Sequence, residues 1–305
     1  YGGVFFLRQD PSNPSAIFAT DENGAFLIRS NDFGQSWSWI TQFCPTCNVD
    51  VAIHQASSQI VLLLARNGAV DQFVFPNPPR GILLRSNDGG ETFAVQSGDG
   101  LPIGAYTYTN IETTAADPNI VYVVMNDDPV EHSGGIFKSL DGGHTFSRLE
   151  ESPPGPLQVF THPTDANVLF VQVSSAFSTT PAIYRSGDGG ASFQPVTGGL
   201  ANNNFFVAFD PHHPSYVYVA GQGGFFRSTD GGTRFRSTGL TREQLGLGAT
   251  TATVDPANPS TIYVNTNLGN FKSVNGGVTF TSISKGWTAS QATHIAFDNA
   301  NKPSL

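Results

Sequence analysis

Asp127, Asp128, Glu131 and His132 place three carboxylates and an imidazole within six consecutive positions. Clustered oxygen ligands of this kind suit Ca²⁺, which takes several hard oxygen donors. The spacing differs from that of a helix-loop-helix calcium loop, so the cluster also reads as a solvated acidic loop. Cys44 and Cys47 form a lone Cys-Pro-Thr-Cys. Metal or redox use of that pair needs a second Cys/His pair or a βαβ context, and neither is nearby. A local disulfide or two idle thiols are the remaining readings, and a disulfide fits an extracellular or periplasmic home. His54, His162 and the pair His212-His213 fall at turn positions and read as structural.

These residues must be positioned by a repeat. Residues 30–37 read Ser-Asn-Asp-Phe-Gly-Gln-Ser-Trp and residues 86–93 read Ser-Asn-Asp-Gly-Gly-Glu-Thr-Phe. Four more copies occupy 139–146, 186–193, 228–235 and 273–280. The pattern is Ser-x-Asp-x-Gly-x-Ser/Thr-aromatic, preceded each time by Arg or Lys, with Asp32, Asp88, Asp141, Asp188, Asp230 and Asn275 at the acidic position. Such a carboxylate accepts backbone N–H bonds inside a tight turn, and Gly supplies the positive φ. Upstream of each copy an apolar strand ends in a turn, mostly Asp-Pro, as at Asp10-Pro11, Asp117-Pro118, Asp210-Pro211 and Asp255-Pro256. His162-Pro163 and His54-Gln55 are variants of it, and strands rich in Val, Ile and Tyr follow. Each unit therefore reads as four strands: strand, Pro turn, strand, strand, repeated turn, strand.

With 305 residues, 13% charged, 33 Gly and 20 Pro, the composition suits short strands and tight turns. A net charge of −9 argues against a sequence-independent grip on nucleic acid or anionic lipid. No apolar run approaches the roughly 20 residues that span a bilayer, so membrane insertion is not expected.

The repeated turn resembles the Asp-box (BNR repeat) of sialidases, sortilin-type receptors and xyloglucanases. That resemblance implies an all-β propeller of four-stranded antiparallel blades, with the box joining third and fourth strands. Six blades are expected at about 1–42, 43–97, 98–151, 152–198, 199–239 and 240–285. Residues 286–305 then begin an incomplete seventh, in a single propeller domain. The expectation is a piece of a longer propeller; unseen ends or completion by another subunit are alternatives, the last allowing self-assembly through the unfinished blade. Among related enzymes, sialidases imply an arginine cluster for a substrate carboxylate. Five of the eleven arginines belong to the turns or precede them. Arg8 falls at the Pro-turn end, and Arg66, Arg80 and Arg242 form a candidate trio with nothing further to join them. The stretch around Asp21 resembles part of the xyloglucanase catalytic region, implying a β-glucan hydrolase with Asp21 catalytic; that family's second acid lies in another propeller. The chain also resembles a photosystem-assembly-factor-like propeller, which implies an assembly helper acting through a basic patch, and this acidic sequence does not show one.

Pro turns and repeated turns each follow an odd-numbered strand, so they share one end of every blade. The irregular loops at the other end are the expected ligand face, as they are in the families bearing the box. Its candidates are Arg66, Asp71, Phe73, Phe75, Asp99, Tyr106, Tyr108, Asp127, Asp128, Glu131, Arg242 and Glu243. The aromatics either stack on a partner or fill loop–blade junctions. The expected function is a secreted, cell-surface or periplasmic propeller that binds carbohydrate or protein without chemistry, the hydrolase being the alternative. No cofactor is expected beyond Ca²⁺ at Asp127, Asp128 and Glu131.

Overall fold

A computed structural model of the protein describes residues 4–21, 26–42, 48–66, 82–96, 98–102, 108–125, 134–174, 182–200, 204–246 and 248–285. The chain falls into two compact units, one ending at Thr161 and the other beginning at His162.

In the first unit, β1 (Val4–Gln9), β2 (Ile17–Asp21), β3 (Phe26–Ser30) and β4 (Ser38–Gln42) form one antiparallel sheet in chain order. The second sheet is β5 (Asn48–Ile53), β6 (Val61–Arg66), β7 (Ile82–Ser86) and β8 (Ala94–Gln96). The third is β9 (Tyr108–Thr113), β10 (Val121–Met125), β11 (Gly135–Ser139) and β12 (Ser147–Arg148). The unit closes with β13 (Pro156–Thr161), which packs on β9 and β10.

In the second unit, β14 (Leu169–Val173), β15 (Ile183–Ser186) and β16 (Gln194–Pro195) complete the fourth sheet, whose first strand is β13. The fifth is β17 (Asn204–Phe209), β18 (Val217–Gly221), β19 (Gly224–Ser228) and β20 (Arg236–Ser237). One helical turn, α1 (Arg242–Leu245), leads to the sixth, β21 (Ala249–Val254), β22 (Ile262–Thr266), β23 (Gly269–Ser273) and β24 (Thr281–Ser282). All six are four-stranded antiparallel blades, one in each segment that the repeat marks out.

Burial explains the strand composition. The second strands β10, β18 and β22 are buried at all five positions. They are covered on both faces, so they read as near-continuous apolar runs rather than alternating ones. Phe18, Leu27, Val51, Leu63 and Leu84 join the first two blades in one core cluster, and Leu64, Ile111, Val123 and Phe137 belong to the cluster of the next junction. A third cluster, with Tyr218, Phe225, Val264 and Phe271, joins the fifth and sixth. The outer strands β12, β16, β20 and β24 are two residues long and exposed, which leaves little open edge for stray pairing.

Candidate functional site

The repeated turn is a closed hydrogen-bonded device. In the first copy Ser30 Oγ donates to Asp32 Oδ1 at 2.8 Å and accepts the Gly34 N–H at 2.7 Å. Asp32 in turn accepts the Ser36 N–H at 2.8 Å and the Ser36 hydroxyl at 2.6 Å. The same bonds recur around Asp88, Asp141 and Asp188. In the sixth copy Asn275 keeps the geometry by donating from Nδ2 to Thr279 Oγ1 at 2.8 Å. These donors favour the ionised acid. Asp32 and Asp188 are held down at about 2, chiefly by the side-chain bonds from Ser36 and Ser192. Asp88 and Asp141 lie lower still, led by the Ser86 hydroxyl and the Thr145 N–H respectively. The fourth turn position needs positive φ, and Phe33 takes it at 59° where the other copies have Gly.

Each repeated turn is tied to the turn that precedes its own second strand. The Gly89, Gly142, Gly189, Gly231 and Gly276 N–H groups donate to Gln59, Asn119, Asn167, Ser215 and Ser260 carbonyls at 2.8–2.9 Å, and Phe33 N–H to Ser15 at 3.2 Å. Both turns thus share one end of each blade. The Arg before the turn then reaches forward: Arg29 Nη1 to Gly89 O, Arg85 Nη1 to Gly142 O and Arg227 Nη1 to Gly276 O, each 2.8 Å, and Arg185 Nε to Gly231 O at 2.9 Å. His162 performs the Asp role in its turn, its Nδ1 accepting the Thr164 and Asp165 N–H groups while Nε2–H donates to Pro214 O at 2.8 Å. His212 Nε2 bonds Pro256 O in the next blade. These histidines are structural.

A polar cluster sits on the first strands of the first unit. Arg8 on β1 pairs with Glu112 on β9 at 3.4 Å. Asp50 on β5 is buried, and its Oδ2 accepts Asn110 Nδ2 at 3.1 Å and the Ile111 N–H at 3.0 Å. Asn110 Oδ1 accepts the Val159 N–H of β13 at 3.0 Å, so one amide bridges β5 and β13. Burial pushes Glu112 up from 4.5 to about 7 against the pull of Arg8, with Asp50 adding to the rise. Glu112 can therefore exchange a proton near neutrality. Sequence reasoning placed Arg8 at the Pro-turn end and passed over Asp50 and Glu112. The available signal was charge inside otherwise apolar first strands, as in Asn-Val-Asp-Val-Ala-Ile.

The candidates at the loop end fare unevenly. Asp71, Phe73, Phe75, Tyr106, Asp127, Asp128, Glu131, Cys44, Cys47 and residues 286–305 lie outside the described residues. Asp21 and Arg66 end β2 and β6, at the end of the blade away from the turns. Tyr108, expected on the ligand face, is instead buried at the start of β9, with its hydroxyl donating to Pro102 O at 2.9 Å. It fills the loop–blade junction. Asp99, expected at the same face, lies beside the third turn, where its carbonyl accepts the Phe146 N–H at 2.7 Å. Arg242 and Glu243 stand on α1, which Thr241 and Gln244 cap through a 2.9 Å bond from the Thr241 N–H to Gln244 Oε1.

No protein-family model and no curated protein sequence matches the chain. Solved structures do. A GH74 xyloglucanase from Xanthomonas campestris superposes with a TM-score of 0.71 at 16% identity, over 92% of this chain and 45% of the xyloglucanase. A YCF48 structure bound to D1 peptide gives 0.69 at 15% identity, over 97% of this chain and 86% of that one. YCF48 from Cyanidioschyzon merolae gives 0.64 at 13% identity, over 92% and 85%. The chain spans less than half of the xyloglucanase. At these identities the likeness is one of fold, and the fold is the β-propeller.

Proposed function

We propose that the chain is a non-catalytic binding propeller, secreted or held at a cell surface or in a periplasm, that engages a protein or carbohydrate partner through its irregular loops. The observation that carries this reading is the likeness to YCF48, which is bound to a peptide and matches this chain over most of both lengths. The described carboxylates of the repeated turns are bonded within their own turns, Asp50 is held by Asn110 and Ile111, and Glu112 faces Arg8. Loops on a rigid scaffold suit that task, and Phe73 and Phe75 are the aromatic anchors in this reading. The test is an array of synthetic peptides and of cello- and xylogluco-oligosaccharides probed with the full chain. The Phe73→Ser/Phe75→Ser variant should bind about tenfold more weakly at unchanged thermal stability. Equal binding by both proteins removes the loop from the site.

A second reading, a xyloglucanase-like β-glucan hydrolase, draws on the GH74 likeness and on Asp21 standing at the loop end of β2. Hydrolysis of xyloglucan or a β-glucan panel that disappears in Asp21→Ala would establish it and displace the binding reading.

A further inference from the structure

The fifth copy of the repeated turn breaks its own pattern. Its Ser/Thr position is Arg234, and none of the described residues supplies Asp230 Oδ2 with the hydroxyl bond that Ser36, Thr92, Thr145 and Ser192 give their Asp. The bonds to the Asp230 carboxylate all reach Oδ1, from Ser228 Oγ and the Thr233 and Arg234 N–H groups, while the Thr233 hydroxyl donates to the Asp230 backbone carbonyl. Surrendering a turn bond to place a cation is the sort of local sacrifice that marks a functional position.

Arg234 does not stand alone. With Arg227 and Arg236 it lines a groove of about 950 Å³ that runs along β20 to the sixth turn, where Gly276, Gly277 and Val278 form the far wall. Arg227 is fixed there by its 2.8 Å bond to Gly276 O and by the Tyr216 ring 4.5 Å beneath it, while Arg234 and Arg236 are exposed. One junction earlier the corresponding groove encloses about 190 Å³. There Arg185, Ser192 and Gln194 occupy the positions of Arg227, Arg234 and Arg236. The same scaffold therefore carries one arginine at one junction and, at the next, three arginines beside one carboxylate, Asp230, an excess of two positive charges on a chain whose net charge is −9.

We infer that the Arg227–Arg234–Arg236 groove is a binding site for a carboxylate-bearing peptide segment of a partner. Guanidinium groups pair with carboxylates through charge-assisted, often bidentate bonds. The lining favours a peptide over an acidic glycan. Its one aromatic ring, Phe235, is buried and offers no stacking face to a sugar, whereas the glycine-rich walls and the exposed Val278 suit an extended chain.

The fourth blade supplies the fold-compatible substitutions. The full chain should bind a fluorescein-labelled hexaglutamate peptide and not a hexaserine control, with affinity falling as salt rises. Arg234→Ser and Arg236→Gln should each weaken binding about three- to tenfold, and together more than tenfold. Thermal stability should hold or rise, because Ser restores the missing turn bond. Ser192→Arg/Gln194→Arg should add binding at the neighbouring groove. Equal affinity in the double variant and the parent, or no binding by the parent, overturns the site. Binding of a heparin hexasaccharide without the peptide overturns the choice of ligand. Phe73→Ser/Phe75→Ser should leave this binding intact, which separates it from the loop-end reading.

Discussion

Asp188 and Glu112 are both carboxylates, and their surroundings move them in opposite directions. Asp188 is exposed and accepts bonds from Ser192 and Ser186, so its folded form ionises near 2 instead of 3.8. Its stabilising contribution is present above the unfolded value and fades as pH falls through about 2. Asp188→Asn copies the natural Asn275 turn. It should narrow the gap to the parent in urea midpoint as pH drops from about 5 towards about 2. Glu112 behaves oppositely. Its folded form keeps the proton to about 7 while the unfolded chain releases it near 4.5, so stability declines as pH rises through that window. Glu112→Gln should match the parent at about pH 5 and exceed it by about 1–3 kcal/mol at about pH 8.5, read by thermal melting. The opposite ordering at high pH would mean that the Arg8 pair outweighs burial.

At the scale of the element, four of the described blades each extend an arginine to their successor. Arg85 leaves β7, bonds Asn87 Oδ1 at 2.9 Å and reaches Gly142 O at 2.8 Å. Arg85→Met keeps the stem and removes both bonds, so it should cost about 1–3 kcal/mol in denaturant unfolding. Hydrogen exchange should quicken at Gly142 and Gly143 before it does in β10. A uniform loss across the blade would show that the clasp does not act locally. Linkers are pinned as tightly. Gly239 donates its N–H to Gly277 O at 2.9 Å, and a Cβ there would overlap the Val278 carbonyl. The strands and turns were readable beforehand, because Pro turns, positive-φ glycines and β-branched runs act within a few residues. The place of Asp99 beside the third turn was not readable, since its carbonyl bonds the N–H of Phe146, 47 residues on (146 less 99).

Across the whole chain, legibility follows contact distance. Turns whose partners lie two to four residues away announce themselves, and so do the six blades they punctuate. Arg8 and Glu112 are 104 residues apart, and no local rule joins them. The groove is an intermediate case: Arg234 was visible as a departure from a sixfold pattern, but its convergence with Arg227 and Arg236 needed the hairpin folded. The forward reach of the arginines also gives the chain a direction in time. Arg29 finds its acceptor 60 residues later, Arg85 57 later, Arg185 46 later and Arg227 49 later. At ribosomal speeds of about 5–20 residues per second, each guanidinium waits on the order of 2–12 s for a carbonyl that has not yet been made. A nascent chain therefore carries an unanswered arginine donor while each of these four junctions is being made, and none between residues 142 and 185.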